Sequence, residues 1–157
     1  MKPVSVFVAL PNSHLPWADW ADRYEIELPE SRFTPIEAAE RAFGQAPAWI
    51  GRLMTLRNRI VAPFGLKGGH LREGKGRFIG AFPVLAADGR EAVLGLNDRH
   101  LDFRVLVDVR PNGACGQIVG MTTLIYRKNL FGRIYLAVVM PFHKVIVRTL
   151  LSRLVRV

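Results

Sequence analysis

The sequence predicts an α+β fold, a curved antiparallel sheet packed on a long C-terminal helix. Three observations predict it. Residues 77–126 alternate apolar and polar side chains in segments separated by turn residues, the pattern of a meander. The last part of the chain, from about Leu130 to Arg156, carries apolar residues at helical spacing. Both elements are apolar on one face, and packing them together buries both.

The elements follow in chain order. Val4 to Leu10 reads as a strand; it contains Ser5 and leads into Pro11-Asn12-Ser13-His14, not the small-residue cleavage site of a signal peptide. Tyr24-Glu25-Ile26-Glu27-Leu28 alternates and stops at Pro29, a half-buried strand. Thr34 can cap a helix with Pro35 at its first position and Glu37 at capping-box distance. That helix stops at Gly44. Pro47 starts a second helix, whose Trp49, Ile50, Leu53, Met54, Ile60 and Val61 form a core-facing stripe opposite Arg52 and Arg59. Pro63 and Gly65 end it.

Four strands are then expected at Arg77–Val84, Glu91–Leu96, Leu101–Val109 and Gln117–Tyr126. Asp88-Gly89 joins the first two, because both residues tolerate positive φ; Asn97-Asp98 and Pro111-Asn112-Gly113 make the other turns. Pro83 cannot donate to a ladder and belongs at an edge or bulge. Asn129 caps the final helix, in which Pro141 introduces a kink. On a helical wheel Phe131, Tyr135, Val138, Val139, Phe142, Val145, Ile146 and Thr149 share the face expected to meet the sheet, and Arg133, Lys144 and Arg148 fall away from it.

The chain has 157 residues, half of them hydrophobic, with no repeat or linker, and a single domain over residues 1–157 is expected. Its net charge of +9 is concentrated at one end. Asp108 is the last acidic residue, and Arg110, Arg127, Lys128, Arg133, Lys144, Arg148, Arg153 and Arg156 follow it. Such a segment offers a cationic face to solvent, anionic lipid or a partner. No uninterrupted apolar run reaches the roughly 18 residues of a membrane span. The one cysteine, Cys115, excludes an intramolecular disulfide framework, and a cytoplasmic location is the default expectation.

Several strings resemble the bacterial domain-of-unknown-function family 2867, which belongs with the START-like (SRPBCC, helix-grip) superfamily. They are Pro47-Ala48-Trp49, Leu56-Arg57-Asn58, Gly65-Leu66-Lys67, the run from Leu94 to Arg104, Gly132-Arg133-Ile134-Tyr135 and Pro141-Phe142-His143. The resemblance runs from about Ala21 to the end of the chain and implies a helix-grip fold. It implies no defined activity. START-like proteins commonly enclose lipids, hormones or other apolar molecules, and some are enzymes. Members of this family also occur fused behind NAD(P)-binding reductase-like domains, which suggests a reductase as partner; a strand-linked G-x-G-x-x-G is absent here.

The run Asp98-Arg99-His100-Leu101-Asp102-Phe103-Arg104 is the most suggestive. On a strand, Leu101, Phe103, Val105 and Val107 share one face, and Asp98, His100, Asp102, Arg104 and Asp108 the other. The polar set is either a solvated outer face with local charge pairing, or a site in which His100 acts as a base beside Asp102 and Arg104. A bulge that inverted the register would turn the set inward. His100, Asp102 and His143 have the residue types of a two-histidine, one-carboxylate iron site, but His143 falls on a helix and reads as a boundary residue; no metal or cofactor is expected. Gly69 to Gly76 has the spacing of a phosphate-binding loop, yet Gly76 replaces the Ser or Thr and a strand follows; its Lys67, His70, Arg72, Lys75 and Arg77 could instead guard a cavity mouth. Cys115 reads as an incidental thiol, because no base is placed beside it.

Three functions remain open. The first is noncatalytic binding of an apolar or amphipathic small molecule between sheet and helix, lined by Leu101, Phe103, Tyr135, Val139, Phe142 and Ile146, with Arg57 available to an acid group. The second is an enzyme, or an accessory domain of an NAD(P)-dependent reductase, built on His100, Asp102 and Arg104. The third is association with anionic membrane through Arg148, Arg153 and Arg156 of the last helix, whose charge also complements the helix dipole. Nucleic acid is disfavoured, because no recognition motif appears.

Overall fold

A computed structural model describes residues 1–65 and 76–155. The elements are β1 (Val4–Ser5), β2 (Trp20–Leu28), α1 (Pro35–Gly44), α2 (Ala48–Val61), a 3-10 turn (Ala62–Phe64), β3 (Phe78–Ile79), β4 (Phe82–Ala87), β5 (Glu91–Asn97), β6 (Leu101–Asn112), β7 (Gly116–Arg127) and α3 (Leu130–Ser152), with a closing 3-10 turn (Arg153–Val155). The protein is α+β, with an open antiparallel sheet of seven strands in the order β1-β2-β7-β6-β5-β4-β3 and a long C-terminal helix. This arrangement is consistent with a helix grip.

The sheet has two covered faces. Inward-pointing Tyr24, Ile26, Leu28, Leu94, Val105, Val107, Val119 and Met121 form one core with Ala38, Ala39 and Ala42 of α1 and Val147, Leu150, Leu151 and Leu154 at the C-terminal end. Three alanines let α1 lie close to the strands. On the other face Leu15, from the segment before β2, is fully buried and packs with Val93, Leu106 and Leu124.

α1 begins as its sequence dictates: the Thr34 hydroxyl accepts from the Glu37 N–H and the Glu37 carboxylate accepts from the Thr34 N–H. It also stops where expected, with Gly44 the last helical residue and Gln45 its cap. Pro111 and Asn112, expected in a turn, pair with Gln117 and Gly116 of β7 instead, so that hairpin turns at residues 113–115. Gly113 adopts φ 69° in the β6–β7 hairpin. At Asp88-Gly89 neither φ is positive; the Asp88 carboxylate accepts the Arg90 and Glu91 N–H groups at 2.7 and 2.9 Å and makes the turn itself.

Four expectations need correction. The N-terminal strand is only Val4–Ser5, extended by one bond from Val6 N–H to the Arg23 carbonyl, and Phe7 is 89% exposed. The strand expected at Arg77–Val84 is two strands, because Gly80 at φ 60° folds the chain back on itself. Pro83 lies on β4 opposite the two-residue edge strand β3 and beside a bulge, where its missing N–H costs least. The α2 stripe is core only in part: Ile50 and Val61 are buried and Leu53 and Met54 half-buried, but Trp49 and Ile60 are exposed.

The largest correction concerns α3. Its buried residues are Gly132, Leu136, Val147, Leu150 and Leu151. Of the face expected to meet the sheet, Val138, Phe142 and Val145 are exposed. The helix is turned by roughly a quarter to a third of a turn from that expectation. It is apolar on nearly every side, so the wheel alone could not choose. Leu130–Val155, at mean hydropathy 1.6 over its most apolar window, is also long and apolar enough to cross a membrane by length and composition. Two scattered charges, Lys144 and Arg148, break the contiguous run without lowering that average much. Only 22% of the window is buried.

Candidate functional site

The strand register holds without inversion, so Phe103, Val105 and Val107 face the helices while Asp102, Arg104 and Asp108 face away. His100 is on neither face, because it lies in the turn before β6. Its Nε2 bonds the Phe64 carbonyl at 2.9 Å, which makes Nε2 the donor. Nδ1 then accepts from the Asn129 amide at 2.9 Å, and the Asn129 oxygen accepts the Gly132 N–H at 3.0 Å as the cap of α3. Both ring nitrogens are thereby partnered. The Phe131 ring lies 4.5 Å from the imidazole and 4.9 Å from Phe64. Gly132 is needed here: a Cβ on it would sit 2.3 Å from the His100 carbonyl oxygen. His100 thus pins the start of α3 to the β5–β6 turn and to the end of α2.

Asp102 is buried elsewhere, paired with Lys128 Nζ at 2.8 Å and bonded by Trp17 Nε1 at 3.3 Å. Arg104 lies across Gly95, where no Cβ would fit, and donates to Asn97 Oδ1 and the Phe103 carbonyl. The three expected site residues therefore do not share a space. His143 pairs with Asp22 at 3.0 Å, with Trp20 edge-on at 5.8 Å, so His100, Asp102 and His143 are not brought together. Among the described residues no group of three or more His, Cys, Asp or Glu could hold a metal. The glycine-rich segment with Lys67, His70, Arg72 and Lys75 lies outside the described residues, as does Arg156. Cys115 is exposed in the β6–β7 hairpin.

The expected lining residues separate into two sets. Leu101 is buried with Ile125 and Leu136, and Phe103 packs on the Phe82 ring at 5.2 Å. Ile146 packs against the main core and Val139 is half-buried. The other set lies between α2 and α3. Arg57 Nε donates to the Tyr135 hydroxyl at 2.7 Å, and its guanidinium lies 5.4 Å from that ring. Phe142 is 52% exposed on the outer side of α3. At the far end of the same two helices, Trp49 of α2 and Val145 and Thr149 of α3 line a groove of about 590 Å³ with Lys2, Arg148 and Arg153. The start of α2 thus meets the end of α3, and the end of α2 meets its start, so the two helices run antiparallel. Lys2, Arg148 and Arg153 have no ion-pair partner among the described residues.

Sequence reasoning missed one charged cluster, on the outer sheet face. Arg23 forks onto Asp108 at 2.6 and 2.9 Å and donates to Glu25 and Thr122. Arg110 forks onto Glu25 at 2.9 and 2.7 Å. Gly120 makes the room, since its Cβ would fall 2.2 Å from an Arg23 nitrogen. Burial alone would raise the Glu25 carboxyl, but the hydrogen bonds from Arg110 and Arg23 outweigh it and hold the group below its ordinary value. The signal was present as the i, i+2 pairs Arg23/Glu25 and Asp108/Arg110, which alternation puts on one face each. What could not be read was that β2 and β6 lie either side of β7.

The fold and groove define a sheet-and-helix α+β protein with an uncovered apolar surface between two helices. A family model described as a protein of unknown function (DUF2867) matches residues 14–150, and the chain belongs to that family. The search of curated proteins finds no match to it.

Proposed function

We propose that the chain is a noncatalytic binding module for an amphipathic small molecule with an anionic head group. The groove beside Trp49 and Val145 would take its apolar part, and Lys2, Arg148 and Arg153 its charge. The observation that carries this reading is three cations, without carboxylate partners among the described residues, around an apolar groove, whereas Arg23, Arg110 and Lys128 are each paired with a carboxylate. The sheet side of α3, where a START-like resemblance would put the ligand, is filled by Val147, Leu150 and Leu151. The site proposed is therefore on the opposite side of that helix. A reaction site on His100, Asp102 and Arg104 has no comparable support, because those groups are occupied in three different places.

Dodecanoate and dodecanol provide the test, with Trp49 as reporter and Trp49→Phe as the control for Trp17 and Trp20. Dodecanoate should give a saturable fluorescence change that dodecanol does not match. Arg148→Gln with Arg153→Gln should weaken it about tenfold or more, the loss expected for charge-assisted hydrogen bonds. Equal binding of acid and alcohol, or an unchanged affinity in the double variant, would remove the site.

A further inference from the structure

The side of α3 that faces away from the sheet is built as regularly as the side that faces it. Leu130, Ile134, Val138, Phe142 and Val145 recur at three- and four-residue steps and are 71%, 56%, 63%, 52% and 55% exposed. They make a strip roughly 22 Å long at 1.5 Å rise per residue. Arg133, Lys144 and Arg148 run along one edge of it, since steps of eleven and four residues return to nearly the same side of a helix. No acidic residue interrupts it.

The neighbouring helix repeats the design. On α2 the exposed apolar residues are Trp49, Leu56 and Ile60, and Arg52 and Arg59 border them. None of Arg52, Arg59, Arg133, Lys144 and Arg148 has an ion-pair partner among the described residues. Two antiparallel helices thus present apolar strips edged by unpaired cations, with a tryptophan among them. Contiguous exposed apolar surface of this kind marks an interaction site. The charge decides the partner: an apolar layer beneath a plane of negative charge matches both features, because the aliphatic side chains enter the acyl boundary while the arginines reach back to phosphates.

We propose that the protein docks on anionic membrane surfaces through the outer sides of α2 and α3, with both helices lying in the plane of the interface. α3 does not cross the bilayer in this arrangement. Its opposite side, Leu136, Val147, Leu150 and Leu151, is buried at 5% exposure or less against the sheet and α1, and spanning would strip that core away.

Cosedimentation of the full chain with vesicles tests the proposal. The protein should pellet with mixed phosphatidylcholine–phosphatidylglycerol vesicles at low salt, should remain in solution with phosphatidylcholine alone, and should be released by high salt. Arg133→Gln with Lys144→Gln should lower the partition coefficient roughly 25-fold, about fivefold for each charge removed. Ile134→Glu with Val138→Glu should abolish binding while leaving the thermal midpoint in place, because both positions are exposed. Equal binding to neutral vesicles, or undiminished binding of the Glu variant, would overturn the proposal. So would retention through alkaline carbonate, the behaviour of a spanning helix, or a dimer in solution that the Glu variant dissolves, which would assign the strips to a second copy. Arg133, Ile134, Val138 and Lys144 do not line the groove at Trp49, so these variants test the surface separately from the small-molecule reading.

Discussion

Helices α1 and α2 are neighbours in the chain, both amphipathic, and are covered to different extents. α1 has a complete capping box and sets three fully buried alanines on the sheet. α2 has no side-chain cap, and its larger apolar residues Trp49, Leu56 and Ile60 face solvent. The same contrast divides α3 along its length: Leu151 is wholly buried and Val138 is 63% exposed. A periodic apolar stripe therefore states that a surface needs a partner, without stating that the partner is the protein's own core.

The sharpest way to break this contrast is to truncate one residue on each side of α3. Leu151→Ala leaves a cavity in the core and should cost about 3 kcal/mol of stability in urea unfolding. Val138→Ala should cost less than about 0.5 kcal/mol, as exposed positions do. Similar losses at both positions would mean that the outer strip is covered in the folded protein, and the membrane-docking proposal would fail.

A second comparison uses two helical glycines. A Cβ on Gly132 would meet the His100 carbonyl at 2.3 Å, whereas one on Gly51 of α2 would meet nothing within 4 Å. Gly132→Ala should therefore destabilise by about 2 kcal/mol, as overpacking against backbone does. Gly51→Ala should stabilise α2 by roughly 0.8 kcal/mol through helix propensity alone. Hydrogen exchange separates the two, since the gain at Gly51 should appear as slower exchange within α2 even where global unfolding barely shifts. A stabilising Gly132→Ala would refute the close contact that pins α3 to the β5–β6 turn.

Much of this architecture was legible because local rules set it. Thr34-Pro35-Ile36-Glu37 specifies the start of α1, Asn129 specifies the start of α3, and alternation through β5, β6 and β7 specifies the meander. The errors arise where two faces of one element are both apolar. On α3, Phe142 and Val147 are equally hydrophobic, and only the position of the sheet decides which is buried. The polar run around His100 misled for a related reason. Its residue types suit chemistry, but the turn at Asp98-Arg99-His100 takes His100 off the strand, away from Asp102. The packing of α2 beside α3 was legible only in pieces. Arg57 and Tyr135 were both candidates, but their contact depends on α2 running antiparallel to α3, and no local pattern encodes that.

Arginines provide the last comparison, because Arg23 and Arg110 on the sheet are paired with carboxylates and, among the described residues, Arg133 and Arg148 along the outer edge of α3 are not. Glu25 is the test position, held below its ordinary value of 4.5 by Arg110 and Arg23 in spite of its burial. A carboxyl with a depressed folded value stabilises the fold above its unfolded value, and the stabilisation is lost as pH falls through the folded one. Glu25 should therefore contribute fully at neutral pH and progressively less below 4.5. Glu25→Gln removes the charge but keeps the shape, and should cost about 1.5 kcal/mol at neutral pH. The gap between variant and parent should close as acid protonates Glu25 in the parent. Thermal unfolding measured from neutral pH down to about pH 2, well beneath the ordinary carboxylate range, would follow that closure. A gap that stayed constant across the whole range would mean that the two arginines do not hold Glu25 ionised, and the sheet's charges would then be no better partnered than those of the outer helix.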